Sequence, residues 1–293
     1  CLILGIILFP VFIISMEKVY PIMKGSIGYI LSLIMIFMIG KDKGKRLKSL
    51  TLFLLAGCLG LLVFNTPNMS QPLFPMLSGL FGFSILLTSL LQKSSVPEQD
   101  FNKPLTISKK NVVKSVSAAS GVGFIAAFLP GFGSSQAAIV ATNIVGDVGD
   151  EGFLSLVGGI NTANMLISIA TAFVLHKARN GAIVTVQKLM GIVGFREMLL
   201  FLGVALVVGG IAAFLALKIS KVFARFMVRV NYNVITYSIL GFITVLTFFF
   251  DGFIGLIVLF TATSIGLVAS FWKIGKNHLM GCLILPVILY FVL

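Results

Sequence analysis

The residues best placed to do chemistry lie in the stretch Gly121-Val-Gly-Phe-Ile-Ala-Ala-Phe-Leu-Pro130-Gly131-Phe132-Gly133-Ser134-Ser135-Gln136. An apolar run meets Pro-Gly-Phe-Gly, two hydroxyls and an amide follow, and an apolar run resumes. Pro130 removes a backbone donor, and Gly131 and Gly133 admit left-handed geometry, so a helix is expected to break here and restart near Ser134. The restarting helix presents unpaired N–H groups and the positive end of its dipole. With Ser134, Ser135 and Gln136 as side-chain donors beside Pro130, Gly131 and Gly133, that end suits a carboxylate or other anion and needs no buried Lys or Arg. A kink whose serines only cap the restart is the plainer reading of the same residues.

A second polar cluster follows in Gly158-Gly159-Ile160-Asn161-Thr162-Ala163-Asn164, inside an apolar run. Asn161 and Asn164 are three apart and share a helix face, and Gly158 and Gly159 let the region unwind or pack closely. Their oxygens suit a hard cation such as Na⁺ or polar groups of a substrate. Asn161 and Thr162 are assigned to a cation and Asn164 to the substrate; interhelical hydrogen bonding is the competing reading.

Other chemistry finds less material. Asp147, Asp150 and Glu151 read as a solvated turn, although with Mg²⁺ they would be the acids of a membrane-embedded lipid-modifying enzyme. At His176-Lys177-Ala178-Arg179-Asn180-Gly181, Arg179 and Gly181 would clamp an anion at another helix start, or form an ordinary membrane flank. Cys1, Cys58 and Cys282 sit in apolar runs as buried thiols. Two His and one Trp leave little for zinc or haem, so no metal or cofactor is expected beyond a coupling Na⁺ or H⁺.

The elements that must position these groups follow from composition. Of 293 residues 58% are hydrophobic and 11% charged, with mean hydropathy +1.10, which excludes a water-soluble domain. At about 20 residues per crossing, segments fall near 2–16, 25–40, 50–66, 72–91, 112–146 with an interruption, 152–175, 182–195, 197–217, 233–250, 253–271 and 279–293. They are continuously apolar, which excludes a β-barrel and leaves an all-α polytopic membrane protein of about 10–11 segments with broken or re-entrant helices. The polar stretch 92–111 divides an N-terminal block of four helices (1–91) from a core (112–195) and C-terminal helices (196–293).

The net charge of +13 is a topology signal. With the 41–49 loop in the cytoplasm, 18 of the 22 Lys and Arg fall on that side; only Lys18, Lys24 and Arg196 fall opposite, and Lys188 lies within a span. The basic loops lack the aromatic interleaving of a nucleic-acid surface and read as flanks near lipid headgroups of the cell membrane.

Three runs carry a family resemblance: Pro130-Gly131-Phe132-Gly133 with small residues through Ala141, Gly158 through Asn164, and Leu77-Ser78-Gly79-Leu80-Phe81-Gly82. Over about residues 72–185 the chain resembles a divergent large permease of the tripartite tricarboxylate transporter family, TctA-type. The resemblance implies a secondary transporter of di- or tricarboxylates coupled to Na⁺ or H⁺, not an enzyme. It also implies a small membrane subunit and an extracytoplasmic substrate-binding protein as partners. Family members carry an earlier Pro-Gly break, and none precedes Cys1 here, so the chain is expected to be the C-terminal portion of a longer permease. A scaffold subunit without a ligand is the remaining alternative, and the intramembrane polar clusters argue against it.

Overall fold

The computed structural model describes residues 1–92, 108–129, 133–176 and 180–292; the side chains of residues 22–24, 127, 128, 135 and 229 fall outside that description. Among the described residues the regular structure is helical, as the all-α expectation requires. In chain order it comprises α1 (Leu2–Ile7), α2 (Phe9–Lys24), α3 (Ile27–Lys41), α4 (Arg46–Asn65) and α5 (Leu73–Leu77). A π-helical turn (Ser78–Phe83) leads into α6 (Ser84–Leu91), followed by α7 (Lys109–Phe128), α8 (Ser134–Val145), α9 (Gly149–Val174) and α10 (Gly181–Met190). The chain ends with α11 (Phe195–Arg229), α12 (Tyr232–Phe271), a 3₁₀ turn (Lys276–Met280) and α13 (Gly281–Val292).

Among the described residues five helical stretches are long and apolar enough to cross a membrane: Arg46–Asn65, Leu73–Leu91, Gly149–Val174, Phe195–Val228 and Tyr232–Phe271. The last is two helices. Gly252 has φ 59° and ψ −146°, and a Cβ on Gly255 would lie 3.2 Å from the Thr247 carbonyl oxygen. Eight residues of straight helix would separate those positions by about 12 Å, so the chain doubles back at Gly252, between the expected segments 233–250 and 253–271. The expected 182–195 crossing is shorter than its composition suggests. Gly191 (φ 76°) ends α10 after ten residues, or about 15 Å, although apolar residues continue beyond it.

The described chain forms two compact units, each made of two segments: Cys1–Ile27 with Phe101–Ile219, and Gly28–Asp100 with Ser220–Leu293. In the first, α9 is the central element, packed by α7, α8, α2 and α1. Small residues let α7 and α9 approach closely: a Cβ on Gly123 would be 2.9 Å from that of Ala163, and one on Gly159 2.7 Å from that of Ala119. Of the two roles open to the glycine pair, Gly159 takes close packing, and α9 stays helical through both. Leu166, Ile167, Ile169 and Ala170 bury against Phe9, Phe12 and Met16. By contrast, α11 is apolar along its length and largely unpacked, a surface that lipid solvates.

In the second unit, α4 packs on α13, and the π-helical turn packs on the second half of α12. The motif Leu77–Gly82 supplies that turn, and Gly79 rests against Ala262 and the Leu259 carbonyl. At one end Asp42 accepts from Ser49 Oγ (2.5 Å) and pairs with buried His278 Nε2 (2.8 Å), which fixes the α3–α4 turn to the 3₁₀ turn. Gly60 is where α4 and α13 meet most tightly, since a Cβ there would overlap the Cys282 carbonyl. Gly60→Ala is therefore expected to destabilise the protein by about 1–3 kcal/mol, read as a lower midpoint of thermal unfolding in detergent. Gly241→Ala, with nothing within 4 Å, should be neutral or slightly stabilising.

Candidate functional site

The expected break is present. Helix α7 stops at Phe128, Leu129 is extended, and the first bond of α8 runs from Ala137 N to the Gly133 oxygen at 3.1 Å. Pro130 and Gly131 lie outside the described residues. Gly133 corrects one expectation: its φ of −83° and ψ of 170° are extended, so it uses no left-handed freedom. Among the described residues no side chain caps the start of α8, and its first amides have no intrahelical acceptor.

The structure brings the two sequence clusters together. Ser134 Oγ donates to Asn161 Oδ1 at 2.6 Å, which ties the first residue of α8 to the middle of α9. The Ser135 side chain lies outside the description. Gln136 is fully buried, and among the described residues neither its Oε1 nor its Nε2 has a partner. Thr162 Oγ1 donates back to the Gly158 carbonyl at 2.9 Å, which leaves only its lone pairs for a ligand. Asn164 is half-buried on the same turn, and its carbonyl accepts from Ser168 Oγ at 2.7 Å.

A second helix start reaches the same turn. Asn180 caps α10 by accepting from Ile183 N at 2.9 Å, and its Nδ2 lies 3.5 Å from Met165 Sδ. Residues 161 and 165 are one turn apart on one face, about 6 Å along the axis, at the midpoint of the 26-residue α9. The N-terminal ends of α8 and α10 therefore converge on one exposed stripe of α9, Gly158, Asn161 and Met165. Each end carries roughly half a positive charge, and no ionisable side chain lies between Gly158 and Met165 to neutralise it. At 12 and ten residues, α8 and α10 span about 18 and 15 Å, each near half the hydrocarbon thickness.

Asn180 was not among the residues assigned to the site from the sequence, although an Asn directly before Gly-Ala-Ile is a recognisable N-cap signal. Of its expected neighbours in an anion clamp, Gly181 begins α10, and Arg179 lies outside the described residues. The acids Asp147, Asp150 and Glu151 serve the start of α9: Asp147 Oδ1 accepts from Gly149 N at 2.9 Å, and the other two lie in the first turn. Among the described residues no three His, Cys, Asp or Glu converge for a metal.

Residues 1–281 match the family model described as the Tripartite tricarboxylate transporter TctA family. No curated protein and no solved structure gives a match.

The unpartnered amide of Gln136 generates a stability prediction. A buried amide without hydrogen bonds costs about 1–3 kcal/mol, so Gln136→Leu, close in shape, is expected to leave unfolding in detergent unchanged or raise its midpoint. A fall of several degrees would show that the amide is bonded within the folded chain.

Proposed function

The chain belongs to the tripartite tricarboxylate transporter TctA family, and from that premise we propose that it binds the carboxylate of a di- or tricarboxylate where α8 and α10 meet α9. It is a multi-pass membrane permease of a transporter family, not an enzyme, so the lipid-modifying alternative falls away. The observation that supports the site is the convergence of two half-helix N-termini on the central turn of α9. Oriented backbone amides hold an anion there without a buried cation, so release does not require breaking an ion pair. Asn161 Oδ1 is engaged by Ser134, which leaves the Asn161 amide hydrogens free to donate to a carboxylate.

The lone pairs of Asn161 Oδ1 and Thr162 Oγ1 are the oxygens offered to a coupling Na⁺; with H⁺ coupling they would instead contact substrate. The basic loops face the cytoplasm, as the charge asymmetry indicates. A small membrane subunit and an extracytoplasmic binding protein complete the assembly, as the family's description as tripartite suggests.

The test is uptake of labelled citrate and shorter dicarboxylates into liposomes holding the purified protein, under an imposed Na⁺ or pH gradient. Asn161→Ala, which removes a hydrogen bond to a charged ligand, and Ser134→Ala, which removes the bond that orients the Asn161 amide, should each lower uptake at least tenfold at unchanged protein content. The double variant should be no worse than the poorer single one, because the two side chains act as one bonded unit. Wild-type rates in both single variants would remove the site assignment.

A further inference from the structure

The second unit contains a buried acid that the carboxylate site does not use. Asp251 ends the first helix of the α12 hairpin, directly before the reversal at Gly252, and is 7% exposed. Its Oδ1 accepts from Gln71 N at 2.9 Å, which ties the α4–α5 connection to the hairpin. Its Oδ2 is buried and has no partner among the described residues. One helical turn earlier on the same face, Thr247 is fully buried, and its Oγ1 is also unpartnered. Both residues crowd Gly255: a Cβ there would lie 2.7 Å from Asp251 Cβ, 3.1 Å from Thr247 Cγ2 and 3.2 Å from the Thr247 oxygen. A side chain at position 255 would collide with both residues, so glycine there lets the second helix of the hairpin approach them closely.

An ionised carboxylate oxygen out of water and without a partner is costly, so something must neutralise it. A helix C-terminus adds negative potential from its last carbonyls, which makes the position more favourable for a cation than the carboxylate alone would be. We propose that Asp251 Oδ2, Thr247 Oγ1 and carbonyls at the end of the first α12 helix form a binding site for a monovalent hard cation of the Na⁺ class. One carboxylate supplies one charge, which matches a monovalent ion, and the donors are all oxygen, which excludes soft metals. Helix ends of this kind, with backbone carbonyls beside a carboxylate, are a physically suitable setting for Na⁺ in a membrane protein. The site stands on its own residues and does not depend on carboxylate transport or on the oxygens of Asn161 and Thr162.

The experiment is thermal unfolding of the whole purified chain in detergent as Na⁺ replaces choline at constant ionic strength. A cation that binds the folded state raises the midpoint in proportion to the logarithm of its concentration once the site is filling. The wild type and Asn161→Ala should both show this rise. Asp251→Asn, which keeps an acceptor for Gln71 N, should need at least tenfold more Na⁺ for the same rise, and Thr247→Val should shift the dependence in the same direction. If Asp251→Asn does not fold, Thr247→Val decides the matter. An unchanged Na⁺ dependence in Thr247→Val and Asp251→Asn, or loss of the response in Asn161→Ala alone, overturns the proposal. A wild type stabilised by lower pH and indifferent to Na⁺ overturns it in favour of a protonated carboxyl.

Discussion

Backbone polar groups inside a membrane have no water to turn to, and each must be satisfied within the protein or by whatever the protein binds. The first unit depends on how this constraint is met. Helix α9 is continuous over 26 residues and satisfies its own backbone, so it can serve as the wall against which interrupted helices end. Helices α8 and α10 both start beside it, and the side chains of Ser134 and Asn180 join those starts to its central turn. A site built this way has its polarity fixed by the direction of the chain, since only N-terminal ends present donors.

Close packing gives the wall its position. Gly123 against Ala163 and Gly159 against Ala119 hold α7 and α9 at a separation that a larger residue at any of these positions would increase. Helix α8, which packs on both α7 and α9, begins with the Ser134 that reaches Asn161. The Gly158-Gly159 pair thus divides its work. Gly159 closes the helix contact, while Gly158 leaves open space and a carbonyl that takes the Thr162 hydroxyl. Small residues therefore supply geometry here, and the polar side chains act within it.

Much of this was legible in the sequence, for physical reasons that differ by element. The interruption between 128 and 134 could be read because Pro and Gly act on the backbone locally, and the doubling back at Gly252 because Asp-Gly punctuates two runs that are each long enough to cross. The length of α10 could not be read from hydropathy: Ile192, Val193 and Phe195 continue the apolar run after Gly191 has ended the helix. The Ser134–Asn161 bond joins positions 27 residues apart, and periodicity on either helix says nothing about which turns will meet. Gln136 carries the same lesson, since its burial without partners among the described residues depends on the surfaces that pack over it.

Asp251 shows how far a local reading can mislead. A lone acid between two apolar runs has the sequence character of a solvated turn. Its burial arises from the α4–α5 connection, whose Gln71 N–H, 180 residues away, takes one carboxylate oxygen and leaves the other enclosed. The same helix-end physics then acts with opposite sign in the two units. N-terminal ends of α8 and α10 make positive potential around Asn161, whereas the C-terminal end before Gly252 adds negative potential to a carboxylate. An uncharged turn would suffice to receive the proposed anion in the first case. In the second, the terminal carbonyls and the acid reinforce each other, and the proposed cation would offset both.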